Sequence, residues 1–560
     1  SNLVPAALAR TTSSLSDYGI FNAPLFADGE LRIGRDGALR SGHLAVRAGA
    51  GEIDLPAPWN TTIPLEAAEG EVTIDGLLQR LKLEKLMVKA GPHEASLSGT
   101  VDYRVRKGLD IFKARVALVA DELHTEVPDF FVGPVDLEKA TLKADIDFDA
   151  LSADIEELFV SVGSGGIRLA GKVANADRSP LVKIKGGIEP MSFEALKAIW
   201  PLPLAKGARE WVGKNLVDGT VDSGSFDIDL AGGMIADAAD HIPLSDENIR
   251  FEFTASGQTM HYLGDLPPMV EIQARGLVLG DRFDAWVSSA VIRQENKGDV
   301  MIVDGHFYND ELSRKGAPGH IFFKASGATA DVLSVLDHEP LHFISDFGID
   351  PAKVGGSGTL EGEISLPLVK HVQMEQVDFS GKAHIENASI PNIRENLSLT
   401  AGTLDMTVNR SGLTATIVLN DAASMNLEWK ESFSPEVTPG SVYRLRGEVD
   451  DKALSAMGLK LDQFVSGPAV VDATIMGDGS NVDRASVKAD LKNAVAKLDD
   501  ASWRKEPGVP AMVNFDVFIQ EDGGYRLSDF VLTGEGISVS GNFTIGTDGR
   551  LIAADFPTVK

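Results

Sequence analysis

Residues 141–149 read Thr-Leu-Lys-Ala-Asp-Ile-Asp-Phe-Asp, a strict alternation of polar and apolar side chains. Side chains on a β-strand point alternately to opposite faces, so this stretch predicts a strand with one apolar and one wet face. The alternation recurs at 225–230, 382–386 and 471–475, and Gly or Asp follows many such segments. The pattern predicts a mainly β protein with a mostly antiparallel sheet that is apolar on one face.

Composition narrows the class of protein. The chain has 560 residues, of which 43% are hydrophobic, 24% are charged and 56 are Gly, as is typical of a folded chain with many turns. Its formal net charge of −30 argues against nucleic acid as a partner and against general docking on anionic membranes, because both need basic patches. The absence of Cys excludes disulfides, thiolate metal sites and cysteine nucleophiles.

Three places break the alternation with a helical pattern, at 192–216, 329–336 and 451–458. Ser192 is a plausible N-cap of the first helix. The breaks lie roughly 120–140 residues apart, which indicates a degenerate large repeat. We therefore divide the chain into a β-repeat region 1–183, a helical insertion with its restart strand 184–233, and further β-repeat regions 234–354, 355–450 and 451–560.

The first helical break carries a recognisable motif. It contains Trp200, Pro201, Arg209 and Trp211, and the next strand restarts at Gly219. This element resembles the one that leads into the next sheet segment in the YhdP-like branch of the AsmA superfamily. Residues 381–390 and 397–404 also resemble recurring strands of that family, and the resemblance covers most of residues 184–560.

The resemblance implies an elongated, curved β-sheet whose concave apolar groove (a β-taco) carries phospholipid acyl chains from the inner toward the outer membrane. It implies a periplasmic location in a Gram-negative bacterium, a tether to the inner membrane, membrane components as partners at both ends, and a role in outer-membrane integrity. No stretch of 18 apolar residues is present, so no transmembrane helix is predicted. Because Ser1-Asn2 is similar to the remnant of a cleaved tag, we expect the chain to be a portion of a larger protein.

The alternation also supplies candidate groove residues. We expect the large apolar side chains of the predicted strands to line one face, either as an open lipid groove or as the closed core of an ordinary β-sandwich. The candidates are Leu142, Ile146, Phe148, Phe226, Ile228, Phe251, Phe253, Ile385, Ile417, Ile475, Phe515 and Val517.

The helical segment 192–216 has two interpretations. Ile199, Trp200 and Trp211 either plug one side of the groove or form an ordinary helix-packing core. The basic side chains Lys206, Arg209 and Lys214 either meet lipid phosphate or lie on a solvated helix face, paired with Glu194 and Glu210.

Signals of an enzyme are poor. Asp145, Asp147 and Asp149 have the spacing of a carboxylate cluster, but on a strand they share the wet face, and the spaced Gly and terminal Glu of a calcium loop are absent. Asp227 and Asp229 repeat this pattern. His338 and His342 are separated by Pro340, which makes a shared helical face improbable. We predict a non-enzymatic protein with no catalytic residue, no metal and no cofactor.

Two other classes of function remain open. One is an assembly or scaffold factor that pairs its exposed strand edge with an outer-membrane β protein. The other is a passenger-type adhesin or glycan-binding β protein with a closed core. The sequence leaves the oligomeric state undetermined.

Overall fold

The computed structural model describes residues 4, 21–35, 39–55, 61–106, 111–128, 130–202, 204–339, 350–394, 397–419, 425–434, 436–451, 464–478, 481–498, 503–520, 524–547 and 551–559. Contacts divide the chain into two compact units. Unit 1 comprises Ser1–Met260, Val270–Val287 and Tyr308–Ala317, and unit 2 comprises His261–Met269, Ser288–Phe307 and Pro318–Lys560.

The chain is mainly β, since 66% of the described residues lie in strands and 8% in helices. The strands up to the first helix are β1 (Phe21–Asn22), β2 (Leu25–Ile33), β3 (Leu39–Ala48), β4 (Gly51–Leu55), β5 (Thr61–Leu65), β6 (Ala67–Asp75), β7 (Arg80–Ala90), β8 (His93–Val105), β9 (Ile111–Thr125), β10 (Val135–Asp147), β11 (Ser152–Val162), β12 (Gly165–Ala174), β13 (Leu181–Ile188) and β14 (Met191–Ser192). They are followed by β15 (Leu216–Val217), β16 (Thr220–Leu230), β17 (Ile249–Met260), β18 (Met269–Leu279), β19 (Arg282–Ile292), β20 (Val300–Asn309) and β21 (Pro318–Ala328).

The remaining strands are β22 (Gly355–Pro367), β23 (Asp378–Arg394), β24 (Leu397–Asn409), β25 (Gly412–Leu419), β26 (Met425–Ser432), β27 (Ser441–Val449), β28 (Val465–Ser466), β29 (Ala469–Asp478), β30 (Asn481–Asp490), β31 (Val495–Leu498), β32 (Trp503–Lys505), β33 (Ala511–Ile519), β34 (Tyr525–Gly534), β35 (Ile537–Ile545) and β36 (Leu551–Val559). The helices within the described residues are α1 (Phe193–Ile199), α2 (Lys206–Asn215), α3 (Met234–Ala239) and α4 (Thr329–Leu336), with 3-10 turns at Pro351–Lys353 and Met374–Gln376.

Thirty strands form one antiparallel sheet that does not close on itself. Two small sheets, β1-β4-β5 and β28-β31-β32, are not hydrogen-bonded into it. The predictions of a mainly β fold, an antiparallel sheet and short helical insertions are confirmed. The predicted helices at 192–216 and 329–336 are present, whereas the predicted helix at 451–458 lies almost wholly outside the described residues.

Cross-strand register puts the apolar side chains of unit 1 on one face. Directly opposite residues of antiparallel strands point to the same side of a sheet. One continuous row across unit 1, from β2 to β17, consists of Gly29, Leu44, Val72, Leu83, Gly99, Leu118, Leu142, Leu158, Leu169, Gly186, Phe226 and Phe251. We call the side of the sheet that carries this row the apolar face, and the opposite side the polar face.

Unit 2 has an apolar face of the same kind. Its longest row runs from β21 to β36 and consists of Ala325, Leu360, Ala383, Met406, Ala415, Trp429, Tyr443, Ile475, Ala485, Val517, Leu527, Phe543 and Ala554. At about 4.8 Å between strands, such a row is on the order of 50–60 Å long.

Charged side chains occupy the polar face in register. Arg80, Asp102, Arg115 and Asp145 lie directly opposite one another on β7, β8, β9 and β10. Arg115 Nε and Nη2 donate to the two carboxylate oxygens of Asp145, each at 2.8 Å. The hydrogen bonds from Arg80 and Arg115 hold the pKa values of Asp102 and Asp145 below the ordinary range. The alternating signs pin the register of these strands, although exposed ion pairs add little stability individually.

In each unit, small insertions cover the apolar face at one set of strand ends, which we call the insert rim. In unit 1 the sheet β1-β4-β5 packs there, with Ala23 and Leu65 against Ala48 and Ala90. In unit 2 the sheet β28-β31-β32 packs there through a cluster of side chains from all three strands and the adjoining loop: Val465, Leu491, Ala494, Ala496 and Trp503.

A buried lysine fixes the second of these insertions. The Nζ atom of Lys505 on β32 donates to the carbonyl oxygens of Lys492 and Glu506, each at 3.3 Å, and to that of Ala494. Burial lowers the pKa of this ammonium group. The carbonyl oxygens replace water around the charge, so the lysine ties the loop to the small sheet.

Glycines on the apolar face let aromatic rings lie flat across neighbouring strands. A Cβ atom at Gly362 on β22 would lie 2.4 Å from Cζ of Phe323 on β21, and one at Gly186 would lie 2.4 Å from Cζ of Phe226. The rings therefore occupy space that any other residue would fill. Gly381, directly opposite Gly362, lacks such a ring, since its nearest contact would be Val408 Cγ1 at 3.2 Å.

We expect Gly362→Ala to destabilise unit 2 by about 1–3 kcal/mol, because the methyl group displaces the Phe323 ring. Gly381→Ala is the matched control, on the same face of the adjacent strand, and should change stability by roughly 0.5 kcal/mol or less. Urea unfolding followed by circular dichroism measures both. Equal destabilisation by the two substitutions would contradict the flat packing of Phe323 on Gly362.

Candidate functional site

The apolar face is the candidate site, and in unit 1 it contains the predicted residues of β10. Leu142 and Ile146 pack in a cluster with Ala114, Val116 and Ala144. The alternation in 141–149 places them there, since Leu142, Ala144 and Ile146 are two residues apart. Their neighbours on β9 complete the same surface through the β9–β10 register.

Four predicted residues lie further along the same face of unit 1. Phe226 and Ile228 on β16 stand directly opposite Phe251 and Ile249 on β17. The rings of Phe251 and Phe253 stack with centroids 5.3 Å apart. The ring of Phe253 also covers Gly276, where a Cβ atom would lie 2.2 Å from its Cε1. These aromatic rings form a smooth part of the apolar face, because they lie over glycines that have no Cβ atom.

The predicted residues of unit 2 also share one face. Ile385 and Ile417 belong to one cluster with Ala388 and Leu404. Ile475 and Val517 occupy the long apolar row, joined through Ala485. The predicted Phe515 lies 6.2 Å from Phe530, centroid to centroid.

Sequence reasoning missed several aromatic members of this surface. Phe530 meets Phe543 edge-on at 4.9 Å, and Trp429 stacks on Tyr443 at 5.8 Å. The alternation in 425–432 and 441–449 would have indicated Trp429 and Tyr443, whereas their cross-strand stacking depends on the β26–β27 register.

The prediction for Phe148 is wrong in its placement. Strand β10 ends at Asp147, and Phe148 is the first residue of the following turn, with 48% of its surface exposed. The amides of Asp149 and Ala150 donate to Asp147 Oδ1, so an Asp-capped turn ends the alternation two residues earlier than the sequence pattern suggests.

The solvent exposure of the predicted side chains distinguishes this face from the core of a β-sandwich. Of the twelve predicted residues, ten are half-buried, Ile417 is buried and Phe148 is exposed. Inward side chains between two stacked sheets become fully buried. The half-buried state of side chains in the middle of long strands, such as Phe226 and Ile475, therefore indicates that water reaches this part of the face.

The helical motif packs on the apolar face at the insert rim of unit 1. The cap is as predicted, since Ser192 Oγ accepts a hydrogen bond from the Ala195 amide at 3.1 Å. Phe193, Leu196 and Ile199 of α1 and Val212 of α2 pack on a floor formed by Ile167, Ile188, Val221 and Phe251. The plug and the helix-packing core are therefore the same feature, because the side chains that pack the helices onto the sheet also cover one end of the apolar face.

The remaining motif residues have separate roles. Trp200 Nε1 donates to the Leu204 carbonyl oxygen at 2.9 Å, which closes the loop that begins at Pro201. Gly219 has φ 76°, a conformation that favours glycine, and a Cβ atom there would meet Gln258 at 2.7 Å. Trp211 is exposed and does not belong to the packing cluster of this segment, so the core interpretation does not hold for it.

The basic residues of this motif do not form one ion-paired set. Lys206 lies 4.0 Å from Glu210, whereas Glu194 pairs with Lys197 at 2.7 Å. Arg209 is half-buried with an unpartnered Nε atom. The predicted pairing with Glu210 is confirmed for Lys206, and the pairing with Glu194 is wrong.

Each carboxylate of the Asp145, Asp147, Asp149 run has a basic partner. Arg115 binds Asp145, Lys113 lies 3.0 Å from Asp147, and Arg106 binds Asp149. Hydrogen bonds from the Ala150 amide and from Lys113 lower the pKa of Asp147.

The second acidic run is paired in the same way, with Lys185 2.7 Å from Asp227 and Lys183 2.9 Å from Asp229. The described residues contain no group of three His, Cys, Asp or Glu arranged to hold a metal ion. Of the histidine pair noted in the sequence, His342 lies outside the described residues.

His384 and Asp405 give the polar face a titratable pair. His384 Nδ1 and Asp405 Oδ1 are 2.6 Å apart on directly opposite positions of β23 and β24. This hydrogen bond raises the pKa of His384 above its ordinary value of 6.5. The stabilisation is therefore fully present below pH 6.5 and is lost as pH rises through the raised pKa.

We expect the His384 ring protons to titrate in an NMR experiment at a pKa above that of an unpaired histidine. Asp405→Asn should lower this pKa, since the amide carries no charge. Asp378→Asn is the control, because Asp378 lies on the same strand as His384 but opposite Ser365. An unchanged His384 pKa in Asp405→Asn would contradict the assignment.

No family model matches the chain, and no curated protein is significantly similar to it. The resemblance to the YhdP-like branch of the AsmA superfamily and the division into five regions therefore stay predictions. No helix in the described part of the chain is long and apolar enough to cross a membrane.

Proposed function

We propose that the chain is a non-enzymatic carrier of phospholipid acyl chains, which lie on the apolar face while they move between the inner and outer membranes of a Gram-negative envelope. The observation that carries this proposal is the continuous apolar row in each unit, most of whose side chains are half-buried. The proposal includes a periplasmic location, a tether to the inner membrane and membrane components as partners.

The physical basis is desolvation of the acyl chain. Each CH₂ group removed from water contributes about 0.8 kcal/mol. Side chains such as Phe226, Ile228 and Ile475 are half-buried without a ligand, so an acyl chain laid on them would bury apolar surface of both partners. The phosphate head group stays in water, since burying it without partners would cost far more than the chain contributes.

The regularity of the face supports movement along it. In unit 2 the row from Ala325 to Ala554 consists only of apolar and aromatic side chains. A surface without a polar break gives the acyl chain similar free energy at successive strands, so lipid slides without one fixed site. Such a surface does not determine the direction of lipid movement. The direction is set by the membranes at its ends.

The same observations give less support to the two alternative functions. A closed-core adhesin or glycan binder requires buried inward side chains, whereas ten of the predicted residues are half-buried. An assembly factor would use backbone pairing at an edge strand, for which the apolar face is not needed.

We expect phospholipid to be recovered from the purified protein by native mass spectrometry and organic extraction. Ile228→Asp and Ile475→Asp, one in each unit, should lower the recovered lipid several-fold, because a carboxylate interrupts the row. Ile475→Ala should change recovery little, since a gap of three carbon atoms in a uniform surface leaves the rest of the acyl chain in contact.

Thr474→Asp is the matched control, because Thr474 neighbours Ile475 in sequence but faces the polar side, opposite Arg444. It should leave lipid recovery unchanged. If no phospholipid is recovered from the wild-type protein, or if Thr474→Asp and Ile475→Asp lower recovery equally, the proposed carrier function is wrong.

A further inference from the structure

The strand ends opposite the insert rim carry exposed apolar turns. We call the connections there, in unit 1, the turn rim. They follow β2, β6, β8 and β10. The exposed large apolar side chains at the adjoining strand ends and in the described parts of these turns are Ile33, Leu77, Leu78, Ile111, Phe148 and Leu151. Exposed apolar side chains grouped in this way usually mark a binding surface.

The β6–β7 turn holds its leucines at the tip. The amides of Leu77 and Leu78 each donate to Asp75 Oδ1 at 3.0 Å, which fixes the turn. The exposed fractions of the two side chains are 69% and 61%. A preformed turn that presents two adjacent leucines to solvent loses little entropy when they enter an apolar environment.

Neighbouring connections lie beside this tip. The Gly76 amide donates to the Arg40 carbonyl oxygen at 3.0 Å, and the Tyr103 amide donates to the Gln79 carbonyl oxygen at 2.9 Å. The described residues of 31–41, 74–82 and 103–113 therefore form one contiguous surface, which we call the basic rim. It adds Ile33, 65% exposed, and Ile111 to the two leucines.

The charge of this surface is opposite to that of the chain. The described residues of 31–41, 74–82 and 103–113 include eight Lys or Arg and one Asp, a net of +7, in a chain of net charge −30. The next connection on the same rim, 145–154, contains four Asp and no Lys or Arg. Apolar tips are thus present along the turn rim, and basic side chains surround only the first group of them.

Some of these basic side chains form ion pairs with carboxylates of described residues, and others do not. Carboxylates face four of them. Arg80 binds Asp102 on β8, Lys82 lies 2.9 Å from Glu84 on the same strand, Lys113 lies 3.0 Å from Asp147 on β10, and Arg106 binds Asp149 in the turn after β10. Arg32 and Arg35 are exposed and make no ion pair with a described residue. Arg104 donates to Gln79 Oε1 at 3.4 Å and has no carboxylate at ion-pair distance among the described residues.

We propose that the basic rim docks on the surface of an anionic phospholipid bilayer. Leu77, Leu78, Ile33 and Ile111 enter the boundary between head groups and acyl chains, and Arg32, Arg35 and Arg104 bind lipid phosphates. Charge complementarity selects this partner, because basic side chains around exposed apolar ones match an anionic, amphipathic surface. The proposal concerns docking and does not rest on the carrier function of the apolar face.

Flotation with lipid vesicles tests the proposal on the full chain. We expect the wild-type protein to bind vesicles of phosphatidylcholine with about 30 mol% phosphatidylglycerol, to bind phosphatidylcholine vesicles much less, and to lose binding at about 0.5 M NaCl. Leu77→Ser with Leu78→Ser should weaken binding roughly tenfold. Phe148→Ser with Leu151→Ser, at equally exposed tips in the acidic part of the same rim, is the control and should bind as wild type.

Arg32→Gln with Arg35→Gln provides a second variant whose folding does not depend on the altered contacts. It should weaken binding about fivefold for each residue. Equal binding to the two kinds of vesicle, or wild-type binding by both the leucine and the arginine variants, overturns the proposal. Lipid recovered from each purified variant before vesicles are added reports on the apolar face alone, so failure of docking is distinguishable from failure of the carrier function.

Discussion

The architecture depends on the cross-strand register of a sheet with two different faces. Because side chains alternate with period two, a slip of one residue would exchange the apolar and polar faces of a strand. The Arg80, Asp102, Arg115 and Asp145 row opposes such a slip from the polar side, since a displaced strand would lose its opposite charges. These four strands are thus aligned by two patterns, hydrophobic on one side and electrostatic on the other.

The register also explains why the apolar face is smooth. Aromatic rings such as Phe226 and Phe323 lie over glycines on the adjacent strand, where any Cβ atom would collide with them. The rings then cover backbone instead of projecting from the sheet. This packing leaves a low, continuous surface and makes the spacing of glycine and phenylalanine on neighbouring strands interdependent.

The two sets of strand ends of unit 1 have different chemistry. At the insert rim, α1, α2 and the sheet β1-β4-β5 bury apolar side chains such as Ile188 and Ala48. At the turn rim, short connections leave apolar tips in water, and the local charge changes from basic near Leu77 to acidic near Phe148. A chain with a large net negative charge therefore still presents a positive surface, because charge is segregated among connections that lie far apart in the sequence.

The sequence by itself determined the fold class and the face of each strand. Alternation placed Leu142, Phe226, Ile385 and Ile475 on apolar faces, because the pleat has a fixed period whatever surrounds it. The same local rules identified Ser192 as a helix cap. They did not predict that β10 ends at Asp147, because a turn capped by the Asp147 side chain overrides the alternation there. Only the tertiary structure decided which residues are opposite one another, that Trp211 is exposed, and that Arg40, Leu77 and Arg104 belong to one surface. Those facts depend on the register between neighbouring strands and on how the insertions pack, for which a strand's own pattern carries no information.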